Sequence, residues 1–262
     1  MDTAIYKDEI FEHYVYIADW EQYYELPDGS RFDNATLQGD FVCFGEKINA
    51  VTNSISCTRI QKDTNTVLNY TVMLDAPLYL SETQFSFVSD TVGYCFAFYQ
   101  NRDSLGEHLS ENSAFLLKTI DGGKNWDLQE HLNVHHYKEG FTDFTAQFFT
   151  ESIGYITVKY RAESNADRLT GRTYFTQDGG KTWTPLKPLP EAFAKYEEMG
   201  ICSIAYVCDF FVENDLFILK VSNPMNASTR YLYSSSDLKS WKFVRTQYET
   251  DEPDFPHESD GK

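Results

Sequence analysis

Three histidines near the middle of the chain are the first candidates for metal chemistry. His131 and His135 have the spacing with which a helix turns two imidazoles to one side, and His136 follows them. The residues around them are typical of a strand that runs into a loop, with Asn133 inside it and no glutamate at the spacing of a metalloprotease. The sequence therefore favours a solvated loop here and predicts no metal site.

Carboxylates are the second candidates, because pairs of them perform acid and base catalysis in glycoside hydrolases. The chain has 40 Asp and Glu residues against 22 Lys and Arg, and so many acids form too many pairs for spacing to select one. The sequence contains no glycine-rich phosphate loop and no nucleophile elbow. We predict no catalytic residue and no cofactor from these patterns.

The formal net charge of −18 restricts the expected partners. Nucleic-acid phosphates and anionic membrane surfaces attract clustered Lys and Arg, so neither is an expected partner. No stretch of the sequence has the length and apolarity of a membrane span. Solubility is the favoured explanation of the charge. Cation binding is the more specific alternative, but no loop of spaced Asp residues supports it.

A loop sequence that occurs three times indicates the elements that position these residues. Each copy lies between runs of β-branched and aromatic residues, which favour strands. The second copy begins 57 residues after the first, at 176 against 119, and the third begins 59 residues later, at 235. The third copy lacks the glycine and is one residue shorter. The residues that define the copies are Thr119, Asp121, Gly123 and Trp126; Thr176, Asp178, Gly180 and Trp183; and Ser235, Asp237 and Trp241.

Each copy has the composition of a tight loop between two antiparallel strands. The Asp can accept hydrogen bonds from loop N–H groups, the glycines supply a positive φ, and the Trp buries its ring while its indole N–H finds an acceptor. Upstream, Gly93-Tyr94 and Gly154-Tyr155 lie 61 residues apart and each opens a strand, while Leu216-Phe217 replaces the pair in the third copy. One repeat therefore predicts a four-stranded antiparallel blade of about 60 residues.

These loops resemble the Asp box, or BNR repeat, of the sialidase-type β-propellers, over roughly residues 84 to 245. The resemblance implies structural loops at the periphery of the blades, away from the central channel. The family contains hydrolases, receptors, assembly factors and lectin-like proteins, so the motif indicates a fold and selects no activity. Sialidases grip the substrate carboxylate with three arginines. Here their Arg-Ile-Pro motif is absent, and Arg172 and Arg230 occupy equivalent repeat positions on third strands.

The predicted fold is all-β, a β-propeller of about four to five four-stranded antiparallel blades, either a small closed ring or part of a larger one. A single propeller domain is expected over 1–248, with 1–35 as a partial blade or closing strands. A short helix is predicted at 191–198 and an acidic disordered tail at 249–262. The predicted blades span 36–75, 84–136, 144–188 and 201–246.

The cysteine pattern and the N-terminus bear on the compartment. The cysteines match no metal framework and are expected to be mostly small buried hydrophobes, with one or two disulfides left open. They are Cys43, Cys57, Cys95, Cys202 and Cys208. Residues 1–10 are charged and lack the apolar region of a signal peptide. Many Asp-box proteins are exported, so the resemblance leaves open both an extracellular protein whose leader was removed and a cytoplasmic protein.

The leading functional hypothesis is a non-catalytic binding or interaction module that presents loops on one propeller face to a glycan or protein partner. The alternative is a glycoside hydrolase of sialidase-like architecture, and a third interpretation is a scaffold whose open edges pair with another chain. No ligand-binding residue is assigned. The aromatic side chains that could stack on a sugar ring, although core packing is favoured for each, are Trp20, Tyr23, Tyr24 and Tyr137.

Overall fold

The computed structural model describes residues 5–7, 14–17, 20–25, 35–38, 40–45, 47–62, 66–102, 108–132, 141–162, 165–186, 189, 207–223 and 226–248. Their regular structure is antiparallel β-sheet, as the sequence predicted. None of the helical structure within these ranges is long and apolar enough to cross a membrane. The predicted helix at 191–198 and the predicted tail at 249–262 lie outside the described residues.

Strands account for most of the described chain. They are β1 (Ile5–Lys7), β2 (Tyr14–Ile17), β3 (Gln22–Glu25), β4 (Ala35–Gln38), β5 (Phe41–Phe44), β6 (Lys47–Gln61), β7 (Thr66–Phe87), β8 (Gly93–Arg102), β9 (His108–Thr119), β10 (Asp127–Leu132), β11 (Phe141–Phe148), β12 (Gly154–Ala162), β13 (Asn165–Thr176), β14 (Thr184–Pro185), β15 (Val207–Glu213), β16 (Leu216–Asn223), β17 (Asn226–Ser235) and β18 (Lys242–Tyr248).

The strands form four sheets in which sequence neighbours pair antiparallel. An N-terminal sheet has the order β1-β2-β3, and a seven-stranded sheet has the order β10-β9-β8-β7-β6-β5-β4. Two four-stranded sheets follow, β11-β12-β13-β14 and β15-β16-β17-β18. We call the latter two the third and fourth units. This strictly sequential order is the meander expected of propeller blades.

The seven-stranded sheet contains two four-stranded units that share β7. Residues 66–73 and 78–82 of β7 pair with β6, and residues 80–87 pair with β8. We call the strands on the two sides the first and second units. The sequence predicted a break between blades at 75–84. The chain instead continues there as one strand with a bulge. On the two sides of the bulge, Met73 pairs with Ser54 and Leu78 pairs with Thr52. Pro77 lies in this bulge, where it needs no ladder hydrogen bond.

Each sheet buries an apolar face against the next sheet along the chain. Four clusters of buried side chains lie in the interfaces from the N-terminal sheet to the fourth unit. Members from the two sides of each cluster are, in chain order, Tyr24 and Phe44, Cys57 and Phe87, Phe96 and Phe148, and Tyr155 and Phe210. Because these interfaces are filled by aromatic rings, the high aromatic content of the chain is explained by face-to-face packing of sheets.

Two buried polar side chains join the second unit to the third. The Gln84 amide donates to the Phe144 carbonyl oxygen at 2.7 Å and accepts from the Ala146 N–H at 2.7 Å. The Ser86 hydroxyl donates to the Phe148 carbonyl oxygen at 3.2 Å and accepts from the Phe148 N–H at 2.9 Å. These side chains from β7 satisfy backbone groups of β11 that no strand of the same sheet reaches, and they hold the two strands in register.

Candidate functional site

The first repeated loop closes on its own side chains. The Thr119 hydroxyl donates to an Asp121 carboxylate oxygen at 2.9 Å and accepts from the Gly123 N–H at 2.9 Å. The same carboxylate oxygen accepts from the Asn125 N–H at 3.0 Å, and the Trp126 indole N–H donates to the Gly123 carbonyl oxygen at 2.9 Å. The acceptor capacity of the carboxylate is therefore directed into the loop rather than toward a ligand.

The second loop repeats this geometry. The Thr176 hydroxyl donates to Asp178 at 2.9 Å and accepts from the Gly180 N–H at 2.9 Å, and the Trp183 indole N–H donates to the Gly180 carbonyl oxygen at 2.9 Å. Gly179 and Gly180 have φ of 76° and 90°, in the left-handed region that glycine adopts without a Cβ clash. The two loops therefore have the same hydrogen-bond pattern at two places in the chain.

The third loop differs because it is one residue shorter. Asp237 accepts from the Ser235 hydroxyl at 3.0 Å and from the Ser240 N–H at 2.8 Å, as in the other loops. A buried leucine, Leu238, takes the left-handed conformation with φ of 59°. The Trp241 indole nitrogen is buried without a hydrogen-bond partner. The expectation that each Trp finds an acceptor is therefore wrong for this copy, because the shortened loop lacks the glycine carbonyl that serves the other two.

Each of the first two loops is fixed to the turn between the first two strands of its unit. The Gly122 N–H donates to the Thr91 carbonyl oxygen at 2.8 Å, and the Gly179 N–H donates to the Ser152 carbonyl oxygen at 2.9 Å. A side chain from the preceding unit also reaches the second of these turns, where the Tyr94 hydroxyl donates to the Glu151 carbonyl oxygen at 2.6 Å. The loops therefore belong to a network that joins neighbouring units.

Arg59 binds the corresponding turn of the second unit, between β7 and β8. Its guanidinium donates to the Asp90 carbonyl oxygen at 3.0 Å and lies over the rings of Phe41 and Phe87, at 5.0 Å and 4.5 Å from their centroids. The side chain is almost fully buried, and its Nε has no hydrogen-bond partner. Nothing in the sequence around Arg59 distinguishes a buried cation that joins two units from a surface arginine.

Because Asp121 accepts several hydrogen bonds within the first loop, substituting it is the best test of how much these loops contribute to stability. Hydrogen bonds from Asn125 are the largest cause that lowers the pKa of Asp121 from 3.8 to about 2. A lowered pKa means that ionised Asp121 stabilises the fold above pH 3.8, and that this stability is lost as the pH falls through about 2. We expect the unfolding free energy of the wild type to fall toward that of Asp121→Asn across this window, as measured by urea unfolding at a series of pH values. A gap between the two proteins that is constant from pH 6 to pH 2 would contradict the assignment.

The other residues singled out by sequence have mixed outcomes. Tyr24 is buried in the interface with the first unit, as predicted, but Tyr23 is 57% exposed, so core packing was the wrong interpretation for Tyr23. It alternates with Tyr24 along β3 and points to the opposite face. Among the described residues no group of three or more potential metal ligands comes together. His135, His136 and Tyr137 lie outside the described residues, as does Cys202, and the side chains of His131 and Cys208 are not described.

Three cysteines are buried free thiols, as predicted for most of the five. They are Cys43, Cys57 and Cys95. Burial raises the pKa of Cys43 to about 12 and also raises the pKa of Cys95. Because the thiolate is the reactive form, these side chains act as packing groups rather than nucleophiles.

The outer strand of the fourth unit carries three large apolar side chains that are exposed. Phe243 is 44% exposed, Val244 is 50% exposed and Tyr248 is 71% exposed. Lys242 and Arg245 on the same strand are also exposed. No described strand pairs with the outer edge of β18. We call the following residues the β18 surface: Lys242, Phe243, Val244, Arg245, Gln247 and Tyr248.

The register with β17 divides the β18 side chains into two rows. Phe243 pairs with Tyr233, whereas Arg245 pairs with Leu232, so Val244 is the extra residue of a β-bulge. Cross-strand partners share a face of the sheet, and the face of Tyr233 is the one packed toward the third unit. The aromatic row on that face is Phe243, Thr246 and Tyr248, and the cationic row on the opposite face is Lys242, Arg245 and Gln247.

Comparison with known proteins bears on the fold. No protein-family model matches the chain, and no curated protein sequence matches it. Solved structures do match it over most of its length. The units are sequential antiparallel meanders packed face to face in chain order, which is the arrangement of the blades of a β-propeller. The five arrays described above, one of three strands and four of four strands, agree with the predicted four to five blades.

Three of the matching structures are 11–12% identical in sequence to this chain. The GH93 α-L-arabinofuranosidase of Fusarium graminearum with arabinobiose is 12% identical over 83% of this chain and 67% of its own, with a TM-score of 0.45. The Penicillium chrysogenum α-L-arabinanase complexed with arabinobiose is 11% identical over 88% and 71%, with a TM-score of 0.44. YCF48 bound to D1 peptide is 12% identical over 80% and 59%, with a TM-score of 0.36, so this propeller spans little more than half of that chain. At these identities the likeness concerns the fold alone.

Proposed function

We propose that the protein is a non-catalytic binding module of the Asp-box propeller type, and that it takes a protein partner on the β18 surface. The observation that carries the proposal is the exposure of Phe243, Val244 and Tyr248 beside Arg245 on one outer strand. Tyr, Phe and Arg are enriched at protein interfaces, where aromatic rings supply contact area at low entropic cost. The three loops at 119–126, 176–183 and 235–241 serve in this proposal as the Asp boxes that hold the blades.

The charge distribution supports β18 as the binding strand. β18 carries two cations and no acid, in a chain with 40 acids and a net charge of −18. The corresponding outer strand of the second unit, β10, contains Asp127 and Glu130, and that of the third unit, β14, has only two residues. Among these three outer strands, β18 therefore offers both apolar area and a charge opposite to that of the rest of the surface.

The chemistry of the carboxylates gives less support to the glycoside hydrolase alternative. A general acid of that reaction needs a raised pKa. The carboxyl groups of the repeated loops, Asp121, Asp178 and Asp237, do not meet this requirement, because hydrogen bonds inside their own loops lower the pKa of all three. A sugar site is also expected to be concave, whereas β18 is an outer strand.

A selection from a displayed library of random peptides, with the full chain as bait, tests the proposed function. We expect peptides that bind the wild type and lose binding to Val244→Ser/Tyr248→Ser, because that variant removes exposed apolar side chains without touching a buried cluster. The matched control is Met73→Ser/Ile120→Ser, which removes side chains that are 66% and 69% exposed elsewhere. Binding to this control should equal binding to the wild type.

Two results would overturn the proposed function. In the first, every selected peptide binds the β18 variant as well as it binds the wild type. In the second, no peptide is selected; a sugar that raises the melting temperature of the protein and is hydrolysed by it would then favour the glycoside hydrolase alternative. A bound ligand stabilises only the folded state, so a melting screen against mono- and oligosaccharides detects that sugar.

A further inference from the structure

We propose that β18 receives an extended partner segment with alternating acidic and apolar residues, which adds to the fourth unit as a fifth strand. This inference rests on the proposed function, because it names the chemistry of the partner that the β18 surface would take. An outer strand presents the N–H and C=O groups of alternate residues to the outside, and strand addition satisfies them. None of the described strands occupies that edge.

The two rows of β18 specify which side chains the added strand needs. Side chains alternate between faces along a strand with a period of two residues. A strand added to β18 would therefore place every second side chain beside Phe243 and Tyr248, and the others beside Lys242 and Arg245. Apolar residues suit the first set and carboxylates suit the second, since opposite charges on neighbouring strands attract.

The cationic row belongs to a wider cationic face of the fourth unit. Arg245 pairs through Leu232 with Lys220, and Gln247 pairs with Arg230, so Lys220 and Arg230 lie on the face of Lys242 and Arg245. Asp209, which pairs with Lys220, and Glu213, which pairs with Leu216 two positions before Ile218 on the same face, are the acids that the register places there. Among the described residues, four cations against two acids on this face, in a chain of net charge −18, make an acidic partner electrostatically complementary.

A second copy of this chain fits the same edge poorly. Pairing β18 with another β18 would bring Lys242 and Arg245 of the two copies onto one face, and like charges opposite each other destabilise a strand pair. A bulge and a lysine on an edge strand are common means of discouraging such self-association. The lysine repels a second copy but attracts an acidic strand.

Three synthetic peptides of eight residues test the inference by fluorescence anisotropy with the full chain. The first alternates four Glu with four Val, the second has the same composition in two blocks, and the third has Lys in place of Glu. We expect the alternating acidic peptide to bind at least about tenfold more tightly than the other two. We also expect Lys242→Glu/Arg245→Glu to weaken its binding about tenfold, and Met73→Ser/Ile120→Ser to leave it unchanged.

N-methylation of the alternating peptide separates strand addition from simple charge attraction without altering the protein. Methyl groups on one set of alternate amides would abolish binding, because those N–H groups face β18, while methyl groups on the other set would leave it within about twofold. Equal behaviour of the two methylated peptides would overturn strand addition. If library peptides bind β18 while the alternating peptide binds no better than its block control, the inference fails and the proposed function stands. If no peptide binds β18, both fail.

Discussion

Phe148→Ala is expected to lower the unfolding free energy by about 3–5 kcal/mol, among the largest losses that one side chain of this protein can cause. Phe148 is fully buried between the second and third units. Its ring stacks on Tyr94 with centroids 3.5 Å apart, lies 5.8 Å from Phe96, and meets the edge of Trp183 at 6.2 Å. Truncation removes this contact area and leaves a cavity that the rigid strands around it cannot close.

The measurement is urea unfolding followed by tryptophan fluorescence, with Phe243→Ala as the control. Phe243 is the same residue type on a strand edge and is 44% exposed, so its loss should cost only about 1 kcal/mol. Equal losses for the two variants would mean that the interface between the second and third units contributes no more to stability than an outer strand. Such a result would contradict the packing described for Phe148.

The repeated loops were readable in the sequence because their geometry depends on few residue types at fixed places. Thr119 and Asp121 must supply oxygens, and Gly123 must tolerate a positive φ of 98°, so substitution is restricted and the copies stay recognisable. The strands between them obey the looser requirement of apolar alternation. The fold class could therefore be predicted, whereas the join of the first and second units through β7 could not.

The β18 surface could not be predicted from sequence because a bulge reverses its alternation. In a regular strand, Phe243 would share a face with Arg245 and Gln247, and Lys242 would share the other with Tyr248. The extra residue Val244 moves Tyr248 to the face of Phe243 and separates aromatic from cationic side chains. A bulge has no distinctive sequence here, and the register of β18 with β17 is a tertiary property.

Contacts between units were equally hidden in the sequence. Gln84 and Ser86 are ordinary polar residues of an alternating strand, yet their side chains bond to the backbone of β11, 60 to 62 residues away. Arginine is typically a surface residue, yet Arg59 is buried against Phe87. Each of these roles depends on a neighbour that folding brings close, and a single sequence carries no pattern for it.

Gly45→Ala is expected to lower the unfolding free energy by at least about 3 kcal/mol, or to prevent folding altogether. Gly45 follows β5 and lies against the backbone of β7. A Cβ at this position would fall on the Thr83 carbonyl oxygen, 2.8 Å from the Thr83 carbonyl carbon and 3.2 Å from the Gln84 Cα. These are backbone atoms of a strand that is buried from Leu80 to Phe87, so no side-chain rotation relieves the clash.

Gly179→Ala is the matched control, because it adds the same methyl group with much less crowding than at Gly45. Its Cβ would meet the Glu151 carbonyl oxygen at 3.0 Å, and the cost, about 1–2 kcal/mol, arises mainly from the left-handed φ of 76°. The measurement is the midpoint and slope of urea unfolding, together with the soluble yield of each variant. If Gly45→Ala is no less stable than Gly179→Ala, the close approach of β5 to β7 is wrong. The packing of the first unit against the second would then need a different register, since that approach brings the end of β5 onto the buried half of β7.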